Sequence, residues 1–322
     1  SDCKLEYASG DPFNSNGDEG GIILYASSKA TIENTTITNC DGYGINANYS
    51  GGDFTFLNNT ISTCSMPMFI AAEYGGSING GNYTGNTTDV IYVKSYASAG
   101  TIFTPQTWAN LNVPYRIKGG GEITSDTDWT IAPGSIIEFE PGIEVKINNG
   151  KSIKALGTAS ERITFRGSNP GAGAWKRIKF DGTNPLNEIG FADIIGGGED
   201  PTNSKGTIYL WYNAKLNIHD INFTDNAACG VYGKISSGTT AKIGREHGRT
   251  PARGHLVCRL LLEKNKFLPL LPYHSLLPYS SLNTPPFFFY YSSSFHFLYF
   301  FFFLSIFLIL FYFTSIFLHL FS

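Results

Sequence analysis

The chain has 322 residues, with 23 Lys and Arg against 26 Asp and Glu and a formal net charge of −3. So balanced a composition supplies no overall basic field, and no nucleic-acid partner is expected. The average aromatic content of 15% mixes two kinds of text, and only the part before about Thr240 reads as a fold.

Near the start, residues 11–20 (DPFNSNGDEG) form an acidic, Gly-rich loop. Residues 20–46 (GGIILYASSKATIENTTITNCDGYGIN) then align without a gap on residues 206–232 (GTIYLWYNAKLNIHDINFTDNAACGVY), so that Ile32 falls on Ile218, 186 positions later. Ile22 falls on Ile208, Lys29 on Lys215, Ile37 on Phe223 and Gly44 on Gly230. Upstream, Leu5 to Ala8 (LEYA) matches Ile189 to Ala192 (IGFA), each followed by an acidic Gly-rich loop. A repeat of this length means a modular chain. The expected division is the end of one module in 1–105 and a second module in 106–236. Since Ser1 falls inside a repeat, the chain is expected to be a fragment at its front end.

A shorter period sits inside. Cys40 and Cys64, Ile37 and Ile61, and Ile32 and Phe56 are each 24 positions apart. Residues 129–180 show what fills that period. Ile137-Glu138-Phe139, Ile143 to Ile147, Ile153-Lys154-Ala155, Ile163-Thr164-Phe165 and Ile178-Lys179-Phe180 alternate apolar with polar, as strands with one buried face do. Pro133-Gly134, Pro141-Gly142, Asn149-Gly150 and Gly157 stand between them as corners. Corners this frequent fit a chain that keeps winding one way. Parallel strands usually read as continuous apolar runs, and alternation joined to parallel pairing fits a coil stacked on itself around a narrow core. The fold predicted is all-β, a β-solenoid of about nine to ten coils of roughly 22–24 residues, three short strands to a coil. Asparagines such as Asn34 and Asn58 are expected at corners, where they accept left-handed dihedrals.

The Pro-Gly corners, the Ala-x-Gly-Thr and Ile-Thr-Phe segments at 155–165, Trp175-x-x-Ile178-x-Phe180 and the Gly-rich turn at 196–198 resemble the right-handed parallel β-helix repeat modules of large secreted bacterial surface proteins. These are relatives in fold of pectate lyases. The resemblance covers most of residues 1–235 and implies an extracellular or cell-surface location. It also implies further β-helix modules of the same parent chain as partners. It does not choose a function, because such folds carry lyases, hydrolases and adhesins alike.

Chemistry is therefore sought in individual residues. Arg116-Ile117-Lys118 spells the RIK that polygalacturonases carry beside paired aspartates, but no Asp-Asp pair and no Gly-His-Gly occurs. Arg116 reads as a surface residue. Glu138, Glu144, Lys146, Lys154 and Lys179 point outward by alternation as a mixed-sign solvated face. His219 should face outward as ordinary polar surface. Cys3, Cys40, Cys64 and Cys229 contain no CxxC pair, which argues against zinc. Cys40 and Cys64 should stack as buried thiols in adjacent coils.

Two features stand out. Asp11, Asp18 and Glu19 in the first loop, and Glu199 and Asp200 in the equivalent loop at 196–205, are the candidates for calcium, although their spacing matches no defined cage and solvated loops are the favoured reading. No other cofactor is expected. Ile208 and Leu210 should point inward, so Tyr209 and Trp211 should point out, with Tyr212 beside them at the corner. Exposed aromatics of this kind grip the apolar faces of sugars. A covering loop is the competing reading. No complete catalytic constellation appears in 1–236. The leading expectation is a structural or adhesive module without catalysis, whose candidate ligand is a polysaccharide or other surface glycan. The alternative is a fragment of a polysaccharide lyase or glycoside hydrolase whose active-site coil lies elsewhere in the parent protein.

After Lys266 the chain contains no Gly, Ala, Val, Asp, Glu, Arg, Met, Trp or Cys, the residues whose codons all contain guanine. Upstream, residues 256–264 (LVCRLLLEK) look like the translation of a common short-read sequencing adapter, and Ile243-Gly244-Arg245 resembles the start of the same adapter. Residues 237–322 are accordingly expected to be a non-native tail without a fold. The alternative is a transmembrane anchor over residues 297–318. It lacks flanking Lys or Arg, and membrane attachment is disfavoured.

Overall fold

A computed structural model describes residues 3–7, 19–182, 184–199, 206–233 and, for the backbone alone, 240–243. All lie in the compact unit 1–266. Of the predicted foldless tail 237–322, Thr240–Ile243 forms a strand that pairs with Lys215–Ile218 and so continues the coil, contrary to expectation; its remaining residues, the candidate span at 297–318 included, fall outside the described residues. Among the described residues no helix is long and apolar enough to cross a membrane.

Every strand pair is parallel, which makes the described fold a coil stacked on itself. One long sheet runs through Ile22–Ile23, Tyr43–Ala47, Met66–Ala71, Ile91–Lys94, Tyr115–Lys118, Ile136–Phe139 and Ile163–Gly167, then the later halves of Glu188–Ile195 and Lys215–Thr224, nine strands in all. The other faces change partway along. The sheet of Lys29–Glu33, Asp53–Leu57 and Ile78–Asn79 ends at Asn79, and the sheet of Cys3–Glu6, Thr35–Thr38 and Thr60–Ser62 ends with a bridge from Thr60 to Asn82. From Thr101 a six-stranded sheet takes over one face, through Thr101–Ile102, Glu122–Ser125, Glu144–Ile147, Arg177–Asp181, Gly206–Trp211 and Cys229–Gly233. The third face stacks Gln106–Trp108, Asp128–Ile131 and Ser152–Leu156 under the early halves of Glu188–Ile195 and Lys215–Thr224. Two 3₁₀ turns, Ala72–Ser77 and Ala97–Gly100, lie where the faces change.

The predicted period holds only for part of the coil. Register partners are 22 to 24 residues apart from Ile22↔Ile45 to Glu122↔Glu144. They widen to 33 at Glu144↔Arg177 and 30 at Ile178↔Ile208. A longer corner loop at 168–176 takes up part of the difference, and in the next coils the strands of two faces run together as Glu188–Ile195 and Lys215–Thr224.

The 186-residue repeat also acquires a structural meaning. Asn34 and Asp220 have φ of 50° and 54°, and Asn39 and Asp225 have 58° and 52°, so both copies turn the same left-handed corners. Yet Thr35–Thr38 lies on a short sheet while its mate Ile221–Thr224 lies on the long one, and Tyr43–Ala47 lies on the long sheet while Cys229–Gly233 lies on the six-stranded one. The second copy is turned by one face. The shorter match of Leu5 to Ile189 is not a structural equivalence. Leu5 pairs with Ile37, whereas Ile189 pairs with Ile218, the mate of Ile32.

Inside, the alternation holds. Ile137, Phe139, Val145, Ile147, Ile153, Ala155, Ile163, Phe165, Ile178 and Phe180 are all buried, and Trp175 of the Trp-x-x-Ile-x-Phe segment stacks on Phe139 with ring centroids 4.4 Å apart. Pro133-Gly134, Pro141-Gly142 and Asn149-Gly150 make the expected turns, with glycine φ of 77°, 82° and 77°. Gly157 differs. A side chain there would meet the carbonyl of Phe191, so close approach fixes this glycine. Where the backbone ladder is interrupted at corners, asparagines clasp the preceding coil. Asn59 donates from Nδ2 to the Ile32 carbonyl at 2.7 Å and accepts from the Thr35 N–H at 3.0 Å. Asn86 does the same to Ile61 and Cys64, and Asn226 to Ile194 and Gly197.

Replacing Ile147 or Phe165 by Ala should cost on the order of 2–5 kcal/mol in chemical denaturation. Lys146→Ala, at the outward neighbour of Ile147 in the same strand, should be nearly neutral; equal losses at Lys146 and Ile147 would contradict the assignment. A second expectation concerns alkaline pH. Burial holds the Tyr43, Tyr83 and Tyr115 phenols far above their usual range and lifts Tyr74 from 10.0 to about 12. Because the neutral phenol is favoured in the fold, this stability is complete below pH 10 and is lost as pH rises towards 12. In a spectrophotometric titration these tyrosines should ionise together with loss of the strand circular dichroism signal. Full ionisation with the signal intact would contradict their burial.

Candidate functional site

The six-stranded sheet ends in a corner that recurs at the same height in each coil. Ser125, Ile147, Phe180 and Leu210 are register partners in succession and all are buried. The residue after each turns outward, which lines up Asp126, Asn148, Asp181 and Trp211 in one column. Asp181 and Trp211 are themselves register partners. Around this column lies an open cleft of about 580 Å³ lined by Asp126, Asn148, Asn149, Asp181, Gly182, Trp211, Tyr212 and Asn213.

The cleft joins an aromatic end to a polar one. Tyr212 has φ 52° and is 62% exposed, and its ring meets the Trp211 ring edge-on, with centroids 5.1 Å apart at 89°. Asp126 accepts from Asn148 Nδ2 at 3.4 Å and lies 3.9 Å from Lys151 Nζ. Asp181 accepts from Lys179 Nζ at 3.2 Å, and that ammonium sits 5.8 Å from the centre of the Trp211 ring. Among the described residues Asp126 Oδ2 and Asp181 Oδ1 take no hydrogen bond.

The predicted residues divide. Trp211 and Tyr212 line the cleft, but Tyr209 does not. Tyr209 faces outward as its alternation requires and is nevertheless only 9% exposed. Tyr232 of the next coil stacks on it at 5.5 Å, and Arg177 of the preceding coil covers it at 5.0 Å. Burial raises its phenol above the usual range. The aromatic surface is therefore a perpendicular Trp211–Tyr212 pair, not a flat Tyr209–Trp211 one. Of the calcium candidates, Asp11, Asp18 and Asp200 lie outside the described residues. Glu199 accepts from the Gly142 N–H at 2.7 Å, and the Glu19 carbonyl accepts from Asn46. Among the described residues no group of three or more His, Cys, Asp or Glu is placed to hold a metal.

The mixed-sign outer face is not simply solvated. Glu138 is 5% exposed because two arginines close over it, with Arg116 Nη2 at 2.7 Å from Oε2 and Arg166 Nη2 at 2.6 Å from Oε1. Burial lowers the Arg116 guanidinium, and the Glu138 bond and charge outweigh that, leaving it above its ordinary range. Glu144 is held likewise by Arg177 at 2.7 Å. Arg116 thus belongs to an inter-coil ion ladder. His219 is also more enclosed than expected. Its Nδ1 lies 3.0 Å from Asp220 Oδ2, its Nε2 lies 3.5 Å from Glu188 Oε1, and its ring rests against Gly190. Cys40 and Cys64 are buried cysteines one coil apart that form no disulfide, as expected.

Asp126, Asn148 and Asp181 escape a reading of the sequence. Each follows an inward residue, which is a signal, but the 22- and 33-residue spacing between their coils hides the column until the coils are stacked.

Stacked parallel coils with a continuous buried core and recurrent left-handed corners make this a right-handed parallel β-helix. Residues 8–107 match the family model described as the right handed beta helix region. No curated protein and no solved structure matches the chain.

Replacing Glu138 by Gln should destabilise the fold by on the order of 3–5 kcal/mol, since it strips one charge from a buried group and leaves Arg116 and Arg166 to face each other. Arg166→Ala should cost much less, as Arg166 is 43% exposed. Denaturation midpoints of the two variants check this, and equal losses would contradict the sandwich.

Proposed function

We propose that the chain is a structural or adhesive β-helix module of a secreted or cell-surface bacterial protein, and that it contacts carbohydrate at the Trp211–Tyr212 corner without catalysing a reaction. The observation that carries this reading is the open cleft in which Trp211 and Tyr212 stand beside Asp126, Asn148, Asn149, Asp181 and Asn213. A sugar offers an apolar C–H face and hydroxyl edges. Aromatic rings serve the first, and carboxylates and amides serve the second.

A binding role also agrees with the ion ladder. Arg116, Arg166 and Arg177 are engaged with Glu138 and Glu144, and groups so tied are poorly suited to proton transfer on a substrate. Their work is to hold coil to coil.

Trp108, Trp129 and Trp175 are buried, whereas Trp211 is half-exposed. A bound polysaccharide should therefore change tryptophan fluorescence through Trp211. In a glycan panel the full chain should be retained by at least one polysaccharide, and Trp211→Ala should reduce that retention at least tenfold. Retention that survives Trp211→Ala would place binding elsewhere, and a panel without a hit would leave only the structural role.

A further inference from the structure

The shape and charge of the same cleft restrict what it takes, an argument that rests on the carbohydrate reading above. Its lining comes from four successive coils, and each coil contributes only its corner: Asp126; Asn148 and Asn149; Asp181 and Gly182; Trp211, Tyr212 and Asn213. The cleft is therefore narrow around the coil and long along the stack. At roughly 4.8 Å per coil, the three steps from Asp126 to Trp211 span about 14 Å. That exceeds a single sugar ring. Phe103, which follows the buried Ile102 and is 48% exposed, continues the column one coil beyond Asp126, since Ile102 is the register partner of Ser125.

The polar walls carry a sign. The two lining groups that carry charge at neutral pH are both carboxylates, with Asp126 46% and Asp181 24% exposed in their side chains. The neighbouring cations, Lys151 and Lys179, lie outside the lining and are each drawn to one of those acids. Each carboxylate keeps an oxygen without a hydrogen bond among the described residues, and an ionised acceptor forms a strong hydrogen bond to a hydroxyl. An acidic sugar would instead bring its own carboxylate against these two.

We infer that the cleft binds a neutral, linear oligosaccharide laid parallel to the solenoid axis, its apolar face on Trp211 and its hydroxyls on Asp181, Asn148 and Asp126. Asp126 and Asp181 are the residues that select against acidic chains.

The test is titration calorimetry of the full chain with neutral glucan-, mannan- and xylan-derived sugars of one and four residues, beside oligogalacturonate of four. One neutral tetrasaccharide should bind at least tenfold tighter than its monosaccharide and than the acidic tetramer. Asp126→Asn and Asp181→Asn, near-isosteric surface changes, should each weaken it by up to about tenfold and narrow the gap to the acidic chain. Acidic chains bound as tightly as neutral ones, or Asp variants with unchanged affinity, would overturn this inference while leaving a Trp211-dependent carbohydrate site in place. Monosaccharide bound as tightly as tetramer would overturn the axial placement. No binding by any sugar would remove both this inference and the reading beneath it.

Discussion

The structure depends on one constraint: the backbone groups of each coil are satisfied by the coils before and after it. A parallel ladder tolerates no drift. Ile91 must sit over Met68 and under Tyr115, and Val145 over Ile123 and under Ile178, so an inward position in one coil is inward in the next. The core follows as columns of Ile, Val and Phe. At corners, where strands stop, the constraint passes to side chains, and Asn59, Asn86 and Asn226 reproduce the missing ladder by bonding a carbonyl and the N–H three residues on in the coil before.

The same stacking organises the outside. On the long sheet it places Arg116, Glu138 and Arg166 in one row, where alternating charge closes over itself and excludes solvent. At the corner of the six-stranded sheet it places Asp126, Asn148, Asp181 and Trp211 in another, where the chain turns away and leaves a cleft open. One row is spent on stability and the other stays accessible. What separates them is where on the coil they lie, since both are built from polar residues at outward positions.

How much of this a sequence reveals follows from the range of each interaction. The strands, their inward faces and the Pro-Gly corners are local, and Ile147 and Phe165 sit where alternation puts them. The 24-residue period of Cys40 and Cys64 gives the early coils because their loops are even. Tyr209 and Glu138 are outward by the same rule and buried all the same, because what covers them, Tyr232 with Arg177 and Arg116 with Arg166, comes from neighbouring coils. Uneven loops after Ile147 and Phe180 conceal which residues share a column. The turn of the second repeat by one face is likewise invisible in an alignment, since strand and corner match while their places around the axis do not.

The register between coils is the claim on which the core, the ion ladder and the cleft all rest, and a pair of introduced thiols tests it directly. Thr130 and Lys154 are outward register partners on adjacent coils, where parallel neighbours lie about 4.8 Å apart, within disulfide range. The Thr130→Cys, Lys154→Cys protein should form that disulfide on mild oxidation, seen by peptide mass mapping, while Thr130→Cys paired with Lys146→Cys on another face should not. A reduced first pair, or an equally oxidised second, would contradict the stacking.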